Sequence, residues 1–182
     1  MKKLLLGIFL SASLFACNTE KKEATDAAET VTATEPKTGD QLLELREGDD
    51  AKNALNAFAR ADIDGMTANY DENVRQLWSG GDSLVGKKAI QDYYKGRWKL
   101  IDSLSFSEHI VLPIKVNVQQ SKYAPTGKWV LHWALANVKY KNGKKLSFWV
   151  HNTSHYNDAG KVDFIGQYID RQPLLEATKG MQ

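Results

Sequence analysis

Residues 128–170 read KWVLHWALANVKYKNGKKLSFWVHNTSHYNDAGKVDFIGQYID, and this stretch decides the fold. Apolar and polar residues alternate through 128–141, through 144–157 and through 161–171. A period of two belongs to a strand with one buried face. Asn142-Gly143 between the first two runs is a two-residue hairpin signal. Asp158-Ala159-Gly160 fits a three-residue loop with glycine in the left-handed position. Three antiparallel strands are therefore expected, followed after Pro173 by a short helix, Leu174 to Lys179.

The turns act as rulers, because loop length sets the pairing register. A two-residue loop at 142–143 pairs positions whose numbers sum to 285, and the second loop pairs positions that sum to 318. One face should then carry the rows Trp129/Tyr156/Val162, Leu131/Ser154/Phe164, Trp133/Asn152/Gly166, Leu135/Val150/Tyr168 and Asn137/Phe148/Asp170. The opposite face should carry Val130, His132, Ala134, Ala136, Trp149, His151, Thr153, His155, Ile165, Gln167 and Ile169. The first face is bulkier and more apolar, so it is expected beneath the helices. Its scattered polar groups need partners. An apolar hollow with a few convergent polar groups is the usual form of a ligand pocket.

Upstream the period is helical. Residues 49–61 predict a helix with Leu55 and Phe58 on one face, and Leu42, Leu43 and Leu45 extend it at the front. A short second helix starts at Asp64, and residues 74–78 (VRQLW) read as a strand before the turn Ser79-Gly80-Gly81-Asp82. Residues 87–101 form a third helix, with Ile90, Tyr94, Trp98 and Ile101 on one face. Residues 104–120 form a strand interrupted near Pro113. Helices first and strands after is an α+β layout.

The chain of 182 residues falls into three segments. Residues 1–16 are a signal peptide: Lys2 and Lys3 precede the apolar run Leu4 to Leu14, which is too short to span a bilayer comfortably. Residues 17–41 begin with Cys17, and positions 18–41 hold three lysines against six acids and no aromatic residue. Such a stretch cannot offset its chain entropy by burial, so it reads as a flexible acidic linker. Residues 42–182 hold 16 of the 18 aromatic residues and are long enough for one core.

Leu14-Phe15-Ala16-Cys17 resembles the bacterial lipobox, although Phe15 stands where that pattern prefers a small residue. The resemblance implies cleavage before Cys17 and lipid on its sulfur. It places the protein in the bacterial cell envelope, lipid-anchored, facing periplasm or cell surface. An ordinary signal peptide ending near Ala16 would instead leave Cys17 free.

His155-Tyr156-Asn157-Asp158-Ala159-Gly160-Lys161-Val162, then Tyr168-Ile169-Asp170 and Pro173-Leu174-Leu175, resemble the nuclear-transport-factor-2-like superfamily, in particular its SnoaL-like (polyketide cyclase) branch. Tyr70-Asp71-Glu72-Asn73 and Gly86 before the third helix add to the match, which covers roughly residues 48–178. The resemblance implies an α+β fold: a cone-shaped curved antiparallel sheet wrapped around the N-terminal helices, with a central pocket. It implies no particular reaction, since the fold hosts isomerases, dehydratases, cyclases and proteins that only bind.

Asp170 is the first catalytic candidate, because a carboxylate in an apolar pocket has its pKa raised toward general acid–base use. The alternative is a helix cap for the segment near Pro173. Tyr168 is the second, as a donor to a ligand carbonyl; alternatively its hydroxyl simply reaches solvent. Asn137 and Asn152 are ligand-binding candidates through their amides, and Trp133, Trp98, Tyr94 and Trp78 through apolar walls.

His132, His151 and His155 share the expected outer face. His151 and His155, four apart in a strand, are about 13 Å apart, so no metal is expected. One cysteine excludes a cysteine-based zinc site and an internal disulfide. A net charge of +2 without a basic stripe excludes phosphate-driven nucleic-acid binding. No phosphate-binding glycine loop, nucleophile elbow or His-Glu-x-x-His zinc motif is present, so no cofactor is expected.

The leading expectation is an envelope lipoprotein whose domain binds a small, largely apolar molecule. The first rival is a proton-transfer enzyme using Asp170 and Tyr168. The second is an interaction module working through the outer sheet face. That face, an exposed mixture of aromatic and aliphatic groups, is also the expected homodimer contact.

Overall fold

A computed structural model describes residues 41–42, 46–119 and 121–181; the leader, most of the linker and Cys17 lie outside the described residues. The elements run β1 (Gln41–Leu42), α1 (Arg46–Ala59), α2 (Ile63–Met66), β2 (Tyr70–Trp78), β3 (Ser83–Val85), α3 (Lys87–Trp98), β4 (Ile101–Val116), β5 (Gly127–Tyr140), β6 (Lys145–Tyr156), β7 (Val162–Tyr168) and α4 (Gln172–Thr178). The α+β layout stands, with helices α1 to α3 gathered on one face of a curved sheet. Among the described residues, no helix is long and apolar enough to cross a membrane.

The sheet order is β1-β4-β5-β6-β7-β2-β3. The β2–β7 pair is parallel, so the sheet is mixed rather than wholly antiparallel. Leu42 does not extend α1 but pairs with Ile114 in β1. Pro113 does not interrupt β4; it pairs with Val130, and the two irregularities fall between Ile101 and Ser103 and between Ser107 and Ile110, where Glu108 has φ of +50°. Asp62 caps α2 by accepting the Gly65 N–H at 2.7 Å. The start of α1 is tied to the sheet by a 2.7 Å Glu47–Lys128 ion pair and by Tyr156, whose hydroxyl donates to the Glu47 carbonyl at 3.0 Å.

The hairpins correct the expected faces. Tyr140 N–H donates to the Lys144 carbonyl and Gly143 N–H to the Tyr140 carbonyl, both at 2.8 Å. The loop is therefore the three residues Lys141-Asn142-Gly143, with Gly143 at φ +86°. Trp129 pairs with His155 and Trp133 with His151, one residue away from the register a two-residue loop would set. The second loop is Asp158-Ala159-Gly160, as expected, and Tyr156 pairs with Val162. A bulge then intervenes: His155 pairs with Phe164, leaving Asp163 as the extra residue, and its carboxylate meets His155 Nδ1 at 2.6 Å.

A one-residue slip moves a strand's whole side-chain set to the other face. β6 keeps its expected orientation, as does Val162 before the bulge, while β5 and the rest of β7 are reversed. Val130, His132, Ala134 and Ile165 face the core, with exposures of 5% or less. Trp149 and Tyr168, by contrast, are half exposed on the outer face. Small inward residues on β5, Ala134 and Ala136, replace the expected Trp133 and Leu135, and this leaves room inside the cone.

Candidate functional site

That room is a cavity of about 450 Å³ between the helices and the inner sheet face. From α1 come Ala54 and Phe58, from α3 Tyr93, Tyr94 and Arg97, and from β5 and β6 Ala136, Phe148 and Val150. Phe58 packs edge-on against Tyr94, with ring centroids 5.0 Å apart. The wall is thus largely apolar and aromatic, with room for a drug-sized molecule.

A set of neutral polar groups interrupts it. Trp78 Nε1 donates to Gln167 Oε1 at 2.7 Å, and Gln167 Nε2 donates to Asn152 Oδ1 at 3.1 Å. Gln76, buried at 1% exposure, donates from Nε2 to the Tyr94 hydroxyl at 2.6 Å. All five side chains line the cavity. Burial pushes the Tyr94 hydroxyl up to about 12, so it is a neutral group that keeps its own proton to donate.

One imidazole also reaches the wall. His132 is 2% exposed, and its Nε2 lies 2.9 Å from His109 Nδ1. Burial first, then the neighbouring His109, Lys52 and His151, hold His132 down at about 4. It is therefore neutral near pH 7 and a weak base.

The structure brings three of the expected residues, Asn152, Tyr94 and Trp78, to the cavity. Trp98 lies outside the lining and packs against the core clusters instead. The expectation that Trp133, Asn137 and Tyr168 face inward is corrected, because the shifted registers turn them outward. Trp133 stacks on His151 at 4.1 Å, His151 stacks on Tyr168 at 5.5 Å, and Asn137 accepts from the Ser147 hydroxyl at 2.8 Å. Asp170 is exposed beyond the end of β7, where its carboxylate accepts the Gln172 N–H at 3.0 Å; it meets the start of α4, as a cap does.

Gln76, Gln167, His132 and Arg97 were not among the sequence candidates. Gln76 was legible, since VRQLW alternates and puts it on the face of Val74 and Trp78. Gln167 and His132 were hidden by the register. Among the described residues, no group of three His, Cys, Asp or Glu side chains is placed to hold a metal ion.

Solved structures share this fold. An NTF2-like protein of unknown function from Burkholderia pseudomallei matches with a TM-score of 0.55 at 14% identity, over 72% of this chain and 96% of its own. TerC, co-crystallised with polyporic acid, matches at 0.52 and 13%, over 70% and 94% of the two chains. A protein with a ketosteroid isomerase-like fold from Catenulispora acidiphila, in complex with trimethylamine, matches at 0.52 and 8%, over 70% and 90%. No known family and no curated protein matches the sequence. The chain has the NTF2-like cone fold.

Proposed function

We propose that this is an exported, lipid-anchored protein of the bacterial cell envelope whose cone domain binds a small, largely apolar molecule. The observation that carries the binding reading is the 450 Å³ cavity walled by aromatic rings around the Trp78–Gln167–Asn152 chain. Neutral amides, an indole and an un-ionised tyrosine hold and orient a ligand without moving protons. His132, neutral and weakly basic, gives the cavity little acid–base power, which favours binding over proton transfer. Anchoring rests on the leader and the lipobox-like Leu14-Phe15-Ala16-Cys17; several buried acyl chains hold a protein stably, at about 0.8 kcal/mol per buried CH₂.

Native mass spectrometry of the full chain, released gently from detergent, tests the binding reading. A retained small molecule of fixed mass supports it. A chain that emerges empty under every gentle condition, and shows no thermal stabilisation by apolar compounds, opposes it.

A homodimer through the outer sheet face is the second part of the proposal. Trp149, Tyr168 and Ile110 are each about half exposed there or at its margin, and apolar exposure on that scale marks a contact surface.

A further inference from the structure

One end of the cavity is built differently from the rest. The last turn of α3, the last residue of β5 and the first turns of α4 meet there, and two guanidinium groups, Arg97 and Arg171, belong to its lining. Arg171 is already engaged: it pairs with Asp82 at 2.5 Å and lies over the Trp78 ring at 5.3 Å. Arg97 is half-buried and lies beside the Tyr140 hydroxyl, where its charge opposes the upward push of burial on that group. Among the described residues no carboxylate forms an ion pair with it. One neutral oxygen uses few of its five N–H donors, whose planar fork suits a carboxylate held by two parallel bonds.

Resting on the binding reading above, we infer that the ligand is an amphipathic monoanion, with an aromatic or aliphatic body in the cavity and a carboxylate on Arg97. The body lies along Phe58, Phe148 and Val150, and the head lies beside Tyr140 at the α3–α4 end. Leu175, half exposed at this end, covers the apolar stem without closing the end to water. At this end Asp82 balances Arg171 and, among the described residues, no carboxylate balances Arg97, and that local charge selects the anion over the matching alcohol. The other charged lining residues, Asp50, Arg60 and Asp62, come from α1 and the turn into α2.

The test compares two probes of one skeleton, 4-(naphthalen-1-yl)butanoate and 4-(naphthalen-1-yl)butan-1-ol. Each is titrated calorimetrically into the full chain in lipid nanodiscs, with empty nanodiscs as the blank. The carboxylate is expected to bind about tenfold tighter than the alcohol, the usual scale of a charge-assisted hydrogen-bonded contact. Arg97→Met should bring the two affinities within about threefold by weakening the carboxylate alone, and Arg97→Lys should keep part of the difference. Equal affinities in the parent chain, or a preference that survives Arg97→Met, would overturn the anion inference and leave the cavity reading standing, because both probes bind. Failure of both probes to bind would overturn the cavity reading and this inference with it.

Discussion

Gln167 on β7 accepts the indole N–H of Trp78 on β2 at 2.7 Å, across the parallel pair that joins the two halves of the sheet. The same amide donates to Asn152 on β6 at 3.1 Å. Three strands thus meet in one side chain on the cavity wall. Its loss leaves a buried indole N–H and an amide oxygen without partners. Gln167→Leu is expected to destabilise the fold by about 1–3 kcal/mol, the cost of unsatisfied buried groups. Urea denaturation followed by Trp fluorescence measures this, and an unchanged midpoint would show that water satisfies both groups.

The three-residue loop at 141–143 assigns Ala136 to the cavity wall, and Asp170, beyond the β7 bulge at Asp163, is exposed to solvent. Ala136→Leu should fill part of the cavity and reduce retention of any bound molecule at least tenfold while the chain stays folded. Asp170→Asn should leave retention unchanged, since that carboxylate meets only the start of α4. Native mass spectrometry of both variants reads the difference, and the opposite pattern would restore both faces expected from a two-residue 142–143 loop and an unbulged β7.

His132 gives stability a defined pH dependence. Its folded-state pKa of about 4 lies below the ordinary value of 6.5, because burial and the neighbouring His109, Lys52 and His151 disfavour its charged form. The unfolded chain binds this proton more readily, so the contribution is full above pH 6.5 and falls away as the pH drops toward 4. The shift is worth about 3 kcal/mol. His132→Phe should flatten the stability profile between those limits, as read by urea midpoints at stepped pH. A variant profile as steep as the parent's would assign the dependence to other groups.

The outer face makes its own prediction. Trp149 stands half exposed on β6, on the same side as the Trp133–His151–Tyr168 stack. Trp149→Asp is expected to convert a dimer to a monomer in sedimentation velocity with little effect on folding, because among the described residues Trp149 belongs to neither buried cluster. A monomeric parent chain would remove the dimer proposal.

Lipidation is checked at Cys17. Cells fed a labelled fatty acid should incorporate the label into the parent chain, and Cys17→Ala should abolish it. Label that persists in the variant, or is missing from both, would return the leader to an ordinary signal peptide.

Element types were legible in the sequence because periodicity is a local property. The alternation of 128–141 and 144–157, the i, i+4 spacing of Ile90 and Tyr94, and the glycines of the turns marked strands, helix and loops close to where they lie. The motifs around Asp158-Ala159-Gly160 and Pro173 carried the fold resemblance. Which face each strand turns inward was decided by tertiary structure. Asn142-Gly143 is compatible with a two-residue turn and with a three-residue loop that ends on Gly143, and the two differ by one residue of register. Nothing local announces the bulge at Asp163, whose carboxylate finds His155 eight positions away. Each count reverses a whole strand, and so Trp133, Asn137 and Tyr168 went outward while His132 and Gln167 went in. The same holds for Arg97. Helical spacing places it near Tyr94, but only the packing of α3, β5 and α4 leaves its charge at a cavity end with a tyrosine for company.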